Sequence, residues 1–145
     1  MLAQPPQPSI DEDNHAFWKA VEERRFLLMR CQQCGDWYWP AAYCRNHANK
    51  PFFGSLRWEE ASGRGKVFAF NIHRKAFHPA FVNKIPYIFA LIELEEGPMF
   101  GTNIVDCRPE DVRIEMPVEV AFRVGSDGIT LPMFRPIGGP SAGSP

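Results

Sequence analysis

The sequence predicts a mainly β chain with one short helix near its start, and three observations carry that expectation. Five segments between residues 66 and 135 are strand-like apolar runs bounded by turn residues. The 14 prolines cluster at both ends and at those boundaries, which disfavours an all-helical protein. Residues 10–23 carry apolar side chains at roughly helical spacing.

At 145 residues, 45% of them hydrophobic, the chain can bury a core and has room for about one small barrel plus an appendage. Its formal net charge of -1 provides no global positive field, which argues against nucleic acid as a partner. No run of 18 apolar residues occurs, and residues 1–10 lack the basic start and apolar stretch of a secretory signal. The expectation is a cytoplasmic protein without membrane contact. In that reducing compartment the cysteines are expected to be metal ligands or buried thiols rather than disulfides.

Residues 1–9 and 138–145, rich in Pro, Gly and Ser, read as flexible tails. The first tail and the helix make up residues 1–25. In the helix, Asp11 and Asp13 are candidate caps, with Phe17, Trp18, Val21 and later Phe26 on the apolar side.

Residues 26–60 form the next unit. A short apolar run enters Cys31, and aromatic residues return between Trp37 and Tyr43, as in a ribbon hairpin. The spacing Cys31-Gln32-Gln33-Cys34, nine residues, then Cys44-Arg45-Asn46-His47 gives two paired ligand sets on that hairpin. A two-residue gap lets a tight turn aim both side chains at one zinc ion, and Gly35 relieves crowding where backbone amides point at sulfur. Four ligands leave no open position, so the zinc expected at Cys31, Cys34, Cys44 and His47 is structural. Cys107, far along the chain and near a turn, reads as a buried free thiol.

Residues 61–137 carry the five strands, at 66–74, 87–95, 98–105, 117–124 and 129–135. They are separated by turns at Ser62-Gly63-Arg64-Gly65, His78-Pro79, Glu96-Gly97, Arg108-Pro109 and Ser126-Asp127-Gly128. Five short strands with a long connection after the first fit a small barrel of the OB type. That connection holds His73, Arg74, Lys75, Phe77, His78 and Lys84, which supply cations and an apolar surface at a barrel mouth and are the candidate ligand or partner surface. Glu93, Glu95 and Glu96 read as a solvated strand end. The nucleophile-elbow, phosphate-loop and dinucleotide signatures are absent, and Gly63-Arg64-Gly65 lacks a third glycine and precedes a strand, so no catalytic residues are assigned.

These motifs together resemble a family of acyl-CoA-associated proteins, known as domain of unknown function 35, in which a rubredoxin-like zinc ribbon precedes an OB-fold. The resemblance rests on Ala16-Phe17-Trp18, residues 27–34, Trp39-Pro40, Ser62-Gly63-Arg64-Gly65-Lys66-Val67, Ile85-Pro86-Tyr87, Leu94-Glu95-Glu96-Gly97-Pro98, Pro109-Glu110-Asp111-Val112-Arg113 and the ending Gly128-Ile129-Thr130-Leu131-Pro132-Met133-Phe134-Arg135-Pro136. It spans nearly the whole chain. His47 departs from it, standing where the family usually has a fourth cysteine, which bears on metal occupancy rather than fold. The resemblance implies a non-catalytic subunit that pairs with a thiolase-superfamily protein and completes a coenzyme A thioester channel for thiolysis, acyl transfer or retro-aldol cleavage. Two other function classes remain. One is a single-strand nucleic-acid module, since OB barrels stack bases on aromatics. The other is a stand-alone acyl-CoA hydrolase, which would need His73, His78 or Cys107 to act.

Overall fold

The computed structural model describes residues 3–47 and 55–138, so most of the carboxy-terminal tail expected at 138–145 lies outside the described residues. The first element is α1, His15–Glu22, shorter than the helix expected over 10–23. Asp11 explains the late start, because its Oδ1 accepts the N–H groups of Asp13 and Asn14 and holds them in a turn ahead of the helix. The helix ends where Arg24 takes a positive φ of 63°. There the N–H of Arg25 donates to the Ala20 carbonyl at 2.8 Å and that of Arg24 to the Val21 carbonyl at 3.0 Å, the paired bonds of a Schellman cap. Phe26 therefore lies outside the helix, yet its side chain is buried in the same core as Phe17.

Three strands make the ribbon sheet, in the order β2-β1-β3: β1 (Leu27–Cys31), β2 (Trp37–Tyr38) and β3 (Leu56–Glu60). The sequence pattern did not mark β3. It pairs with β1 along its whole length, from Leu27 opposite Glu60 to Cys31 opposite Leu56.

The remaining strands close a barrel in the order β4-β5-β6-β8-β7, the OB arrangement: β4 (Arg64–His73), β5 (Tyr87–Leu94), β6 (Met99–Ile104), β7 (Pro117–Val124) and β8 (Thr130–Pro136). The five expected strands are these five, within about two residues. Closure comes from a short parallel contact between β6 and β8, with Ile104 opposite Phe134, and from Thr102 Oγ1 donating to the Pro132 carbonyl at 2.9 Å. Proline supplies no N–H there, so the side-chain bond joins the two strands where a ladder bond would be missing.

Helix, ribbon and barrel share one core. Phe17 lies 4.5 Å from Trp39 and 6.0 Å from Trp58 of the ribbon, ring centre to ring centre, and Trp39 reaches Phe100 of the barrel at 5.1 Å. Phe26 meets Phe100 and Phe134 edge to face. This aromatic cluster, with buried Val67, Ile88, Ile92 and Val118, fixes the ribbon against the barrel.

Candidate functional site

Two places in the fold gather chemistry. The first is the ribbon tip, where the donor atoms of Cys31, Cys34, Cys44 and His47 all lie within 4.8 Å of one another. The turn after β1 brings the first pair together: the Gly35 N–H donates to the Cys31 carbonyl at 2.9 Å, and Gly35 adopts φ +80°. Backbone N–H groups of Cys34 and Gln33 point at the Cys31 sulfur and lower its pKa to about 7, the Cys34 amide contributing most. The Asn46 side-chain amide does the same for Cys34, at 3.4 Å. Burial pushes the Cys44 thiol up, opposed by Tyr38, whose hydroxyl sits 3.2 Å from the sulfur. That contact in turn raises the Tyr38 pKa.

The chemistry of this donor set fits a zinc ion. His47 Nε2 is buried without a hydrogen-bond partner among the described residues, and the Cys34 and Cys44 sulfurs lie only 3.5 Å apart, so thiolate charge there needs a cation. Four donors in this arrangement can hold one tetrahedral ion with no position left for substrate. Tyr38 and Asn46, which sequence spacing did not single out, act on the sulfurs from outside the donor set. Their positions in the hairpin beside the cysteines were the only available signal.

The second place is a cavity of about 710 Å³ on the outer face of the barrel. Strand β5 alternates buried Ile88, Ala90 and Ile92 with outward Tyr87, Phe89 and Leu91. Its outward side faces Asn71 of β4 and Asn103 of β6 in register with Phe89. Phe89, Leu131 and Met133 line the cavity together with Phe81 of the β4–β5 connection and Asp127 of the β7–β8 turn. This is the strand face and loop pair with which OB barrels hold ligands.

Of the candidate ligand residues, the structure places His73 and Lys84 in the cavity lining. His73 stacks flat on Tyr87 at 4.7 Å, and the Lys84 ammonium lies 5.7 Å from the Phe81 ring centre. Arg74, Lys75, Phe77 and His78 do not line it. Phe77 is exposed with the Lys75 ammonium 5.7 Å from its ring centre, and His78 Nδ1 accepts the Ala80 N–H. Arg123 lines the cavity while paired with Asp106. The apolar floor was not assigned from sequence. The signal was present in Tyr-Ile-Phe-Ala-Leu-Ile of β5, apolar on both faces, in an antiparallel barrel whose outer face would otherwise be polar.

Cys107 stands apart from both places, half-buried, its thiol donating to the Arg108 carbonyl, and desolvation raises its pKa. Among the described residues no hydrogen bond joins any two of His73, His78 and Cys107. Glu95 pairs with Arg64, and Glu96 accepts the Ser62 N–H at 2.7 Å.

Residues 18–47 match the family model described as ChsH2, rubredoxin-like zinc ribbon domain, and residues 58–123 match ChsH2, C-terminal OB-fold domain. A DUF35 domain-containing scaffold protein of Methanocaldococcus jannaschii is 39% identical over 128 residues, covering 83% of this chain and 88% of that protein. A probable enoyl-CoA hydratase alpha subunit of Thermomonospora curvata is 36% identical over 133 residues, 90% of this chain, which spans only 40% of that relative's length. Among solved structures, one described as Ltp2-ChsH2(DUF35) aldolase superposes with a TM-score of 0.78 at 32% identity, covering 90% of this chain and 99% of the other. Among the described residues no helix is long and apolar enough to cross a membrane.

Proposed function

The chain belongs to the DUF35 family of ChsH2-like zinc-ribbon and OB-fold proteins, and we propose that it is a non-catalytic subunit of a thiolase-superfamily complex acting on acyl-CoA thioesters in the cytoplasm. Residues 26–60 are its ribbon unit and residues 61–137 its barrel. The partner carries the nucleophile for thiolysis, acyl transfer or retro-aldol cleavage. This chain helps form the coenzyme A thioester channel and stabilises the partner. The Ltp2-ChsH2 aldolase named in the structural relative supports assembly with a partner chain, and the enoyl-CoA hydratase subunit named in the sequence relative supports work on CoA thioesters.

The observation that carries the reading is the barrel-face cavity. Its volume suits a drug-sized ligand, its apolar floor suits an acyl or pantetheine chain, and His73, Lys84 and Arg123 bring positive or protonatable groups to its lining for phosphate. Zinc held by Cys31, Cys34, Cys44 and His47 supplies folding free energy to the ribbon and takes no part in the reaction.

Purified chain titrated with octanoyl-CoA is the test. Binding weakened by Lys84→Glu, with no thioester turnover, is the expected result. Turnover abolished by His73→Ala, His78→Ala or Cys107→Ala would make the chain a stand-alone hydrolase instead. Salt-dependent binding of single-stranded oligonucleotides, competing with octanoyl-CoA, would make the same face a nucleic-acid module.

A further inference from the structure

The amino-terminal prolines bear on how that cavity opens. Pro5, Pro6 and Pro8 all line it, so this stretch of chain forms part of its wall rather than projecting into solvent. Pro5 and Pro8 are half-buried while Pro6 and Gln7 are exposed. A three-residue interval between inward positions is the repeat of a polyproline II helix, which has no internal hydrogen bonds and commonly docks on aromatic-lined grooves. Here Phe81, Tyr87 and Phe89 provide that lining.

Two sets of hydrogen bonds hold the segment. At its downstream end Asn14 Nδ2 donates to the Ser9 carbonyl at 2.9 Å, tying the chain to the start of α1. At the cavity, Gln7 Nε2 donates to Asp127 Oδ2 at 2.6 Å. The other oxygen of Asp127 accepts the Ile129 N–H at 2.9 Å, so the carboxylate is set by its own turn and offers a fixed acceptor to Gln7. The arrangement has a hinge at Ser9 and a latch at Gln7. The latch is a single exposed side-chain hydrogen bond, a weak one that a ligand can displace.

We infer that residues 5–8 are a strap seated along one side of the barrel-face cavity that a bulky apolar ligand displaces on entering. The strap deepens the acyl-thioester reading of that cavity and rests on it for the natural ligand, while its seat on the barrel stands on the contacts above. A cavity competent to bind only while the strap is away shows an affinity reduced by the fraction of time it is open. Loosening the strap raises apparent affinity by that factor.

The experiment compares full-length protein with Gln7→Ala, with a variant in which Pro5, Pro6 and Pro8 are glycine, and with a chain lacking residues 1–8. Each is titrated with anilinonaphthalene sulfonate, an apolar ring system with an anionic group, and with octanoyl-CoA. Methyl resonances of Ile129, Leu131 and Met133 report the strap's seat without any ligand. The expected result is shifted methyl resonances and dye affinity rising in the order full-length, Gln7→Ala, truncated. The gain should reach about tenfold if the strap is seated nine-tenths of the time, and Phe89→Glu should abolish it. Unchanged methyl resonances on truncation, or equal dye affinity in all forms, overturns the strap. Shifted resonances and tighter dye binding without octanoyl-CoA binding in any form leave the strap standing and remove the acyl-thioester reading.

Discussion

Buried and without a hydrogen-bond partner among the described residues, His47 Nε2 would cost the fold about 1–3 kcal/mol if left bare, a cost that a zinc bond removes. His47→Ala should therefore lower zinc affinity sharply, while His47→Cys should retain it by completing four thiolates; chelator competition measures both. The outer contacts have smaller effects. Tyr38→Phe and Asn46→Ala, which remove partners of the Cys44 and Cys34 sulfurs, should each weaken zinc binding by roughly 10- to 100-fold. Acid should release the metal, because Cys31, with a pKa of about 7 in the metal-free fold, must take up a proton in competition with zinc, so affinity falls progressively once the pH drops below that value. The four ligands were readable from spacing because a two-residue gap has few geometric solutions. Tyr38 and Asn46 were not, because their contacts depend on how the hairpin folds back.

At the level of elements, the Schellman cap of α1 places an exposed arginine where glycine is usual. Arg24→Gly should stabilise the protein by about 0.5–1 kcal/mol in a denaturant melt, since the left-handed residue no longer carries a Cβ. The opposite holds inside the barrel. A Cβ at Gly65 would lie 2.5 Å from the Glu93 carbonyl oxygen across the β4–β5 pairing, so Gly65→Ala must push two strands apart and should lower the melting temperature clearly. Chelation or Cys31→Ser should unfold the ribbon, seen in near-ultraviolet circular dichroism from its tryptophans, and weaken assembly with the proposed partner. The barrel strands were legible because their β-type runs end at glycine and proline turns. Strand β3 was not, because Leu-Arg-Trp-Glu-Glu has no β-branched residue and alternates over only four positions, and β1 recruits it by pairing. Helix α1 starts later than its apolar spacing predicts because Asp11 favours a local turn over capping at a distance.

Across the whole molecule, the aromatic cluster does what a domain interface would otherwise do. Phe17→Ala removes a ring packed on Trp18 of the helix and on Phe26 and Trp39, which carry the contact on to Phe100 of the barrel, and should cost about 3–5 kcal/mol with loss of cooperative unfolding between ribbon and barrel. Salt should change stability little, because the ion pairs, from Arg25 with Glu60 to Arg135 with Glu119, are exposed on both sides. The overall architecture was legible because its strand spacing and ligand pairs are local signals. The shared core and the covered barrel face were not, because both join residues distant in sequence: Phe17 with Phe100 through Trp39, and Pro5 with Met133 around one cavity.

Purification of the tagged protein under native conditions from its own cells, with mass spectrometry of what accompanies it and metal analysis of the eluate, tests the accessory-subunit reading most directly. The account predicts a stoichiometric thiolase-superfamily protein and about one zinc per chain, the latter following from a single closed four-ligand site. A chain recovered alone that turns over acyl-CoA, or one recovered with nucleic acid, would contradict it.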